Sequence, residues 1–158
     1  MSTGPRYFYN QKCRESNFYP SPFEYDGVLL PTSEHHLMRA KAKLMGDTRS
    51  MRKIEGCKSP GQAKMFGRRV TPFDQAKWEL NCDEIMMNIL VAKFTSTSSL
   101  KEYILSVKGD FYEASPTDKI WGIGISVEAA ERGEAHNGQN RLGVALGRAR
   151  AIIQIDSM

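Results

Sequence analysis

Apolar residues recur along most of this chain at three- and four-residue steps, the period of a helix buried along one face. The clearest run is Cys82, Ile85, Met86, Ile89, Leu90 and Phe94. A second, Leu142, Ala145, Leu146, Ala149, Ile152 and Ile153, predicts a final helix. Leu37, Met38, Leu44 and Met45 predict another, capped by Thr32 or Ser33 and stopped by Gly46. A short helix is expected after Asp47, with Met51 and Ile54 on its apolar side. Ser59-Pro60 pairs a capping residue with proline at the first helical position and should start the next, carrying Ala63, Phe66 and Val70. Helix should restart around Thr71-Pro72-Phe73-Asp74. Ser98 or Ser99 should cap one more, with Leu100, Tyr103, Ile104 and Val107.

The first thirty residues follow a different pattern. Tyr7-Phe8-Tyr9 is aromatic and β-prone. Asp26-Gly27 separates Phe23-Glu24-Tyr25 from Val28-Leu29-Leu30, a hairpin signal, because a type I′ turn needs positive φ at both central positions. Pro20 and Pro22 confine the preceding segment to loop or sheet edge. Phe111-Tyr112-Glu113 reads as a short strand, and the stretch from Ala114 to Asn140 as irregular. The expected architecture is mostly α: a single helical domain over residues 1–158 with a small N-terminal β-hairpin.

Composition agrees with a globular domain. The chain has 158 residues, of which 41% are hydrophobic and 25% charged. No segment approaches the roughly 20 apolar residues of a bilayer span, and the opening residues, Met1 to Arg6, lack the apolar core of a secretory signal. A soluble, cytoplasmic protein without a membrane partner is expected. Three widely spaced cysteines, with no CxxC, argue against a disulfide framework or a cysteine zinc site. The net charge of +4 fits phosphorylated or nucleotide-like ligands without requiring them.

Five groups of residues could bear chemistry. Glu34, in the first turn of a predicted helix, reads either as a charge favourable to the helix dipole or as a carboxylate beside a cleft. His35 and His36 are adjacent, so they do not share a helix face as paired metal ligands would. Asp118, Trp121, Gly122 and Gly124 combine an acid, a flat indole and glycines that admit close backbone approach. Asn140 precedes the last helix, where it reads either as a cap or as part of a helix N-terminus open to phosphate. Arg68-Arg69, with Lys64 and Lys77, forms a basic cluster that reads as a solvated face or a phosphate contact.

Taken in order, these segments resemble the NADAR, or YbiA-like, family. Asn17-Phe18-Tyr19-Pro20-Ser21-Pro22-Phe23, Asp26-Gly27 and Pro31-Thr32-Ser33-Glu34-His35 resemble its opening. Ser59-Pro60, Gly67-Arg68 and Trp78-Glu79 resemble its middle. Asp118, Trp121-Gly122-Ile123-Gly124 and Gly138-Gln139-Asn140-Arg141-Leu142-Gly143 resemble its closing signature. The similarity spans about residues 8 to 150. One departure stands out: some members carry an acid within the WGxG, where this chain has Ile123.

The resemblance implies an N-glycoside hydrolase linked to NAD and ADP-ribose metabolism. Its substrate would be ADP-ribosylated guanine in nucleic acid or a phosphoribosylated riboflavin-pathway intermediate. A non-catalytic ADP-ribose- or NAD-binding module is the alternative. Under the enzyme reading, Glu34 activates water or steadies a cationic sugar, and Asp118 orients the ribose or the water. Trp121 stacks on the base, Gly122 and Gly124 allow its approach, and Arg68 and Asn140 hold phosphate or ribose oxygens. Asn17 and Phe18 complete the substrate contacts. No metal or redox cofactor is implied.

Overall fold

In a computed structural model of the chain, residues 3–158 are described; Met1 and Ser2, part of the opening segment considered above, lie outside them. The elements follow the order β1 (Arg6–Phe8), β2 (Phe23–Tyr25), β3 (Val28–Leu30), α1 (Ser33–Leu44), α2 (Thr48–Gly56), α3 (Pro60–Gly67), α4 (Gln75–Thr95), α5 (Ser98–Ser106), β4 (Phe111–Glu113), α6 (Val127–Glu131) and α7 (Arg141–Asp156). The fold is mostly α, as the periodicity predicts.

Local chemistry fixes most helix starts. The side chains of Thr32, Asp47, Ser59, Asp74 and Thr97 each accept a backbone N–H from the first turn of their helix. One start is displaced from expectation: the fifth helix is capped by Thr97 rather than by Ser98 or Ser99, whereas the fourth begins after Asp74, the last residue of the expected restart. The short helix α6, capped by Ser126, lies in the stretch expected to be irregular.

The β2–β3 hairpin pairs Phe23 with Leu30 and Tyr25 with Val28. Asp26 and Gly27 both take positive φ, 54° and 76°, as the turn requires. The other pairing is long-range. β1 runs parallel to β4, with Tyr7 opposite Tyr112 and Phe8 opposite Glu113.

Helix α4 is the central element. Its Cys82, Met86, Ile89, Leu90 and Phe94 are almost wholly buried, together with Leu142, Leu146 and Ile153 of α7 and Leu37, Met38 and Ala42 of α1. Lys93 of α4 is also fully buried, and its ammonium donates to the Ser16 carbonyl at 2.9 Å. The loop between β1 and β2 is thereby tied to the core. No helix of the described residues is long and apolar enough to cross a membrane.

Candidate functional site

Glu34 occupies the second position of α1. The loop from β1 holds that turn in place. The Glu34 N–H donates to the Asn17 carbonyl at 3.0 Å, and the Ser33 hydroxyl donates to Asn17 Oδ1 at 2.8 Å. Asn17 therefore spends its side-chain oxygen on positioning α1, although it also lines the cleft above. That cleft has a volume of about 730 Å³, and the Glu34 side chain borders it while remaining only 8% exposed. Burial pushes the Glu34 carboxyl up to about 7, against the pull of Lys64; Asp118 pushes the same way as burial.

Two more carboxylates face the same space. Asp118 Oδ1 accepts the N–H groups of Ile120, at 3.0 Å, and Trp121, at 2.8 Å, which folds the turn and fixes the acid. Glu113 ends β4. Its N–H donates to Asn140 Oδ1 at 3.1 Å and its carbonyl accepts the Ile123 N–H at 2.8 Å. Burial, then the charges of Asp118 and Glu34, push its carboxyl up to about 7. Glu113 is not among the site residues expected from the sequence. Its only local signal was a position at the end of a short strand, and its partners come from distant segments.

Four cations answer the three acids. Lys41 comes from α1, Lys64 from α3, Arg68 from the C-cap of α3, and Lys119 from the residue after Asp118, all on the cleft wall. Burial lowers the Lys41 pKa, and Glu34 opposes that shift. Gly67 lets α3 lie close against α1, since a methyl group there would overlap the Met38 side chain. Of the basic cluster expected from the sequence, Lys64 and Arg68 reach the cleft, whereas Arg69 and Lys77 are exposed outside it. Phe18 and Trp121 add aromatic surface to the walls.

The central chamber opens at both ends. Past Phe18, Lys64, Glu113 and Asp118 it joins a lobe of about 480 Å³ that includes Tyr9, Asn10 and Gln11. Past Lys41, Arg68 and Trp121 it joins one of about 340 Å³ bordered by Phe73 and Trp78. Glu34 borders the central chamber and neither lobe.

The closing signature is placed differently from expectation. Asn140 does not line the chamber. Its amide donates to the Phe111 carbonyl at 2.9 Å while Oδ1 accepts from Glu113, and it makes no side-chain cap despite preceding α7. Nor is the α7 N-terminus open to phosphate. The N–H groups of Gln139, Asn140, Arg141 and Leu142 donate to the carbonyls of Lys119, Gly122, Ile120 and Trp121. Gly122 and Gly124 also serve the scaffold. A methyl at Gly122 would lie 2.9 Å from the carbonyl oxygens of both Asp118 and Glu113, and Gly124 takes φ +74°. Ile123 is fully buried in a small apolar cluster with Ala114 and Ala130, so its side chain belongs to the core.

The two helical histidines also serve the scaffold. His35 contacts Thr32 Oγ1 at 2.7 Å and the Cys57 carbonyl at 3.1 Å, and His36 contacts the Phe23 carbonyl at 2.9 Å. Among the described residues, no group of three His, Cys, Asp or Glu side chains is arranged to hold a metal ion. Trp78 packs in the core, and Glu79 pairs with Arg141 at 2.6 Å.

The NADAR domain family model matches residues 7–154. Protein irg-1 of Caenorhabditis elegans is 33% identical over 163 residues, covering 90% of this chain and 76% of that protein. N-glycosidase YbiA of Escherichia coli (strain K12) is 29% identical, covering 89% of this chain and 81% of its own length. N-glycosidase R617 of Acanthamoeba polyphaga mimivirus is 34% identical over 100 residues, covering 63% of this chain and 59% of that protein. The NMR structure of the E. coli protein YbiA matches with a TM-score of 0.81 at 28% identity, over 99% of this chain and 89% of that one.

Proposed function

The chain belongs to the NADAR domain family, and we propose that it is a hydrolase that cleaves a ribosyl N-glycosidic bond. The observation that carries this reading is Glu34, held nearly out of water beside Asp118 and Glu113 in a cleft rimmed by Lys41, Lys64 and Arg68. Relatives named N-glycosidase support it.

Cleaving such a bond leaves positive charge on the sugar ring in the transition state. A carboxylate beside the anomeric carbon stabilises that charge or takes a proton from the attacking water. Glu34 fits the task, since its pKa near 7 lets it accept a proton at neutral pH. Asp118, fixed by two backbone N–H groups, orients the ribose or the water. Arg68 and Lys41 suit a phosphate on the sugar, and Trp121, at the same end of the chamber and not at the Tyr9 lobe, offers a flat face to the sugar rather than to the base.

The substrate is a ribosylated, nucleotide-like molecule: a phosphoribosylated riboflavin-pathway intermediate or ADP-ribosylated guanine, free or in nucleic acid. A non-catalytic ADP-ribose- or NAD-binding module is the competing reading. Three acids in the chamber count against it, because a pure binder of an anionic ligand has less need of them than a hydrolase has. The Ile123 departure lends it no support, since that side chain is core.

The test offers each substrate class to the wild-type protein and to Glu34→Gln, and follows by chromatography the sugar product, ribose 5-phosphate from the phosphoribosylated intermediate and ADP-ribose from the modified guanine. Sugar product released by the wild type and reduced by about 10²–10⁴-fold in the variant supports the reading. Binding without release favours the competing one.

A further inference from the structure

The cleft has a direction, and Glu113 marks where it changes. Glu34 borders the central chamber alone, whereas Glu113 and Asp118 border both that chamber and the lobe beside Tyr9; Asp118 Oδ1 is taken up by two backbone N–H groups. The opposite exit is bordered by Lys41 and Arg68, which suits an anionic sugar phosphate. A sugar lying in the chamber with its phosphate at that exit points its anomeric carbon toward Glu113. Whatever is attached there must enter the Tyr9 lobe.

That lobe has the makings of a heterocycle site. Tyr9 and Phe18 supply aromatic faces, and Asn10 and Gln11 supply amides. The turn carrying them is fixed: Asn10 takes φ 74°, and its Oδ1 accepts the Lys12 N–H at 2.9 Å. Lys64 stands at the boundary, its ammonium 6.0 Å from the Phe18 ring centroid.

Resting on the N-glycosidase reading, we propose that Glu113 is the proton donor to the leaving nitrogen. The lobe formed by Tyr9, Asn10, Gln11 and Phe18 then receives the aglycone, an amino- or amide-bearing heterocycle. The C1′–N bond breaks with its electron pair passing to nitrogen, which takes the Glu113 proton. Water adds its oxygen to C1′ and gives a proton to the Glu34 carboxylate. The products are the free heterocycle N–H and a sugar with a C1′ hydroxyl. Glu34 then returns its proton to solvent and Glu113 regains one, which restores the starting state. Two features support the assignment. Glu113 is clamped through its own N–H and carbonyl, and it holds a proton up to about pH 7.

Leaving-group chemistry tests this. The probes are a 5-phosphoribosyl aminopyrimidine, whose nitrogen must be protonated to depart, and 4-nitrophenyl ribofuranoside 5-phosphate, whose phenolate departs without a proton. Glu113→Gln should lose about 10²–10³-fold in kcat on the first probe and stay within about threefold on the second. Tyr9→Ala, on the exposed wall, should raise KM for the aminopyrimidine with little change in kcat. Equal loss on both probes, or an unchanged KM in Tyr9→Ala, overturns the assignment and leaves the N-glycosidase reading standing. A wild-type protein that cleaves neither probe, nor an ADP-ribosylated guanine, removes both.

Discussion

The backbone N–H of Glu34 donates to the carbonyl of Asn17 at 3.0 Å, across a chain separation that places one residue in a loop and the other in a helix. Ser33 reinforces the link through Asn17 Oδ1. The acid at the floor of the cleft is thus aimed by an amide that need not touch the substrate. Asn17→Ala leaves the buried Ser33 hydroxyl without this acceptor, at a cost of about 1–3 kcal/mol. We expect a lower Tm together with a kcat loss of about tenfold or more; an unchanged kcat would show that Glu34 is aimed by other means.

Glu34 and Glu113 set the pH dependence of turnover. Glu34 must be ionised to take a proton, and its pKa is about 7, so kcat/KM rises through that region from the acid side. Glu113 must be protonated to give one, also with a pKa of about 7, so the rate falls on the alkaline side. A bell centred near pH 7 is expected, its limbs belonging to the coupled pair. Glu113→Gln should remove the alkaline limb, which a pH series of kcat/KM would display.

Lys93 makes stability depend on pH through burial. Its pKa in the folded chain is about 7, lowered by burial from an ordinary value of 10.5. Between those values the unfolded chain binds more protons than the folded one, so stability rises with pH across that window. Thermal melts of wild type and Lys93→Met between pH 7 and 10 check this. The variant should lose that part of the rise, and it should also lower turnover, because the Ser16 carbonyl loses its donor beneath the cleft loop.

Gly122 tests whether the closing signature is scaffold or ligand contact. A methyl there would press on the carbonyls of Asp118 and Glu113. Gly122→Ala is therefore expected to lower stability by about 1–3 kcal/mol in denaturant titrations. Full stability with a raised KM would instead mean that the glycine faces substrate.

Local interactions explain what could be read from the sequence. Asp47, Ser59 and Asp74 announce their helices because a capping side chain bonds a backbone three residues away. Asp26-Gly27 announces its hairpin for the same reason: the turn is decided by its own two residues. The motif order was enough to find Glu34, Asp118, Arg68 and Trp121, all of which line one chamber.

The rest depended on distant partners. Nothing near Tyr7 or Tyr112 shows that β1 and β4 pair in parallel, so the sheet that presents Glu113 was invisible. Asn140 looked like a cap or a phosphate ligand because it precedes a helix. Its side chain is instead drawn to the backbone of β4, and carbonyls of the preceding loop take the helix N–H groups. Ile123 looked like a missing acid until the fold placed it against Ala114 and Ala130.

The most direct measurement follows the sugar product, ribose 5-phosphate from a 5-phosphoribosyl aminopyrimidine and ADP-ribose from an ADP-ribosylated guanine oligonucleotide, released by wild type and by Glu34→Gln of matched Tm. Release from at least one substrate by the wild type is expected, cut by about 10²–10⁴-fold in the variant with KM little changed. Equal release by both proteins, or tight binding with no release by either, would contradict it.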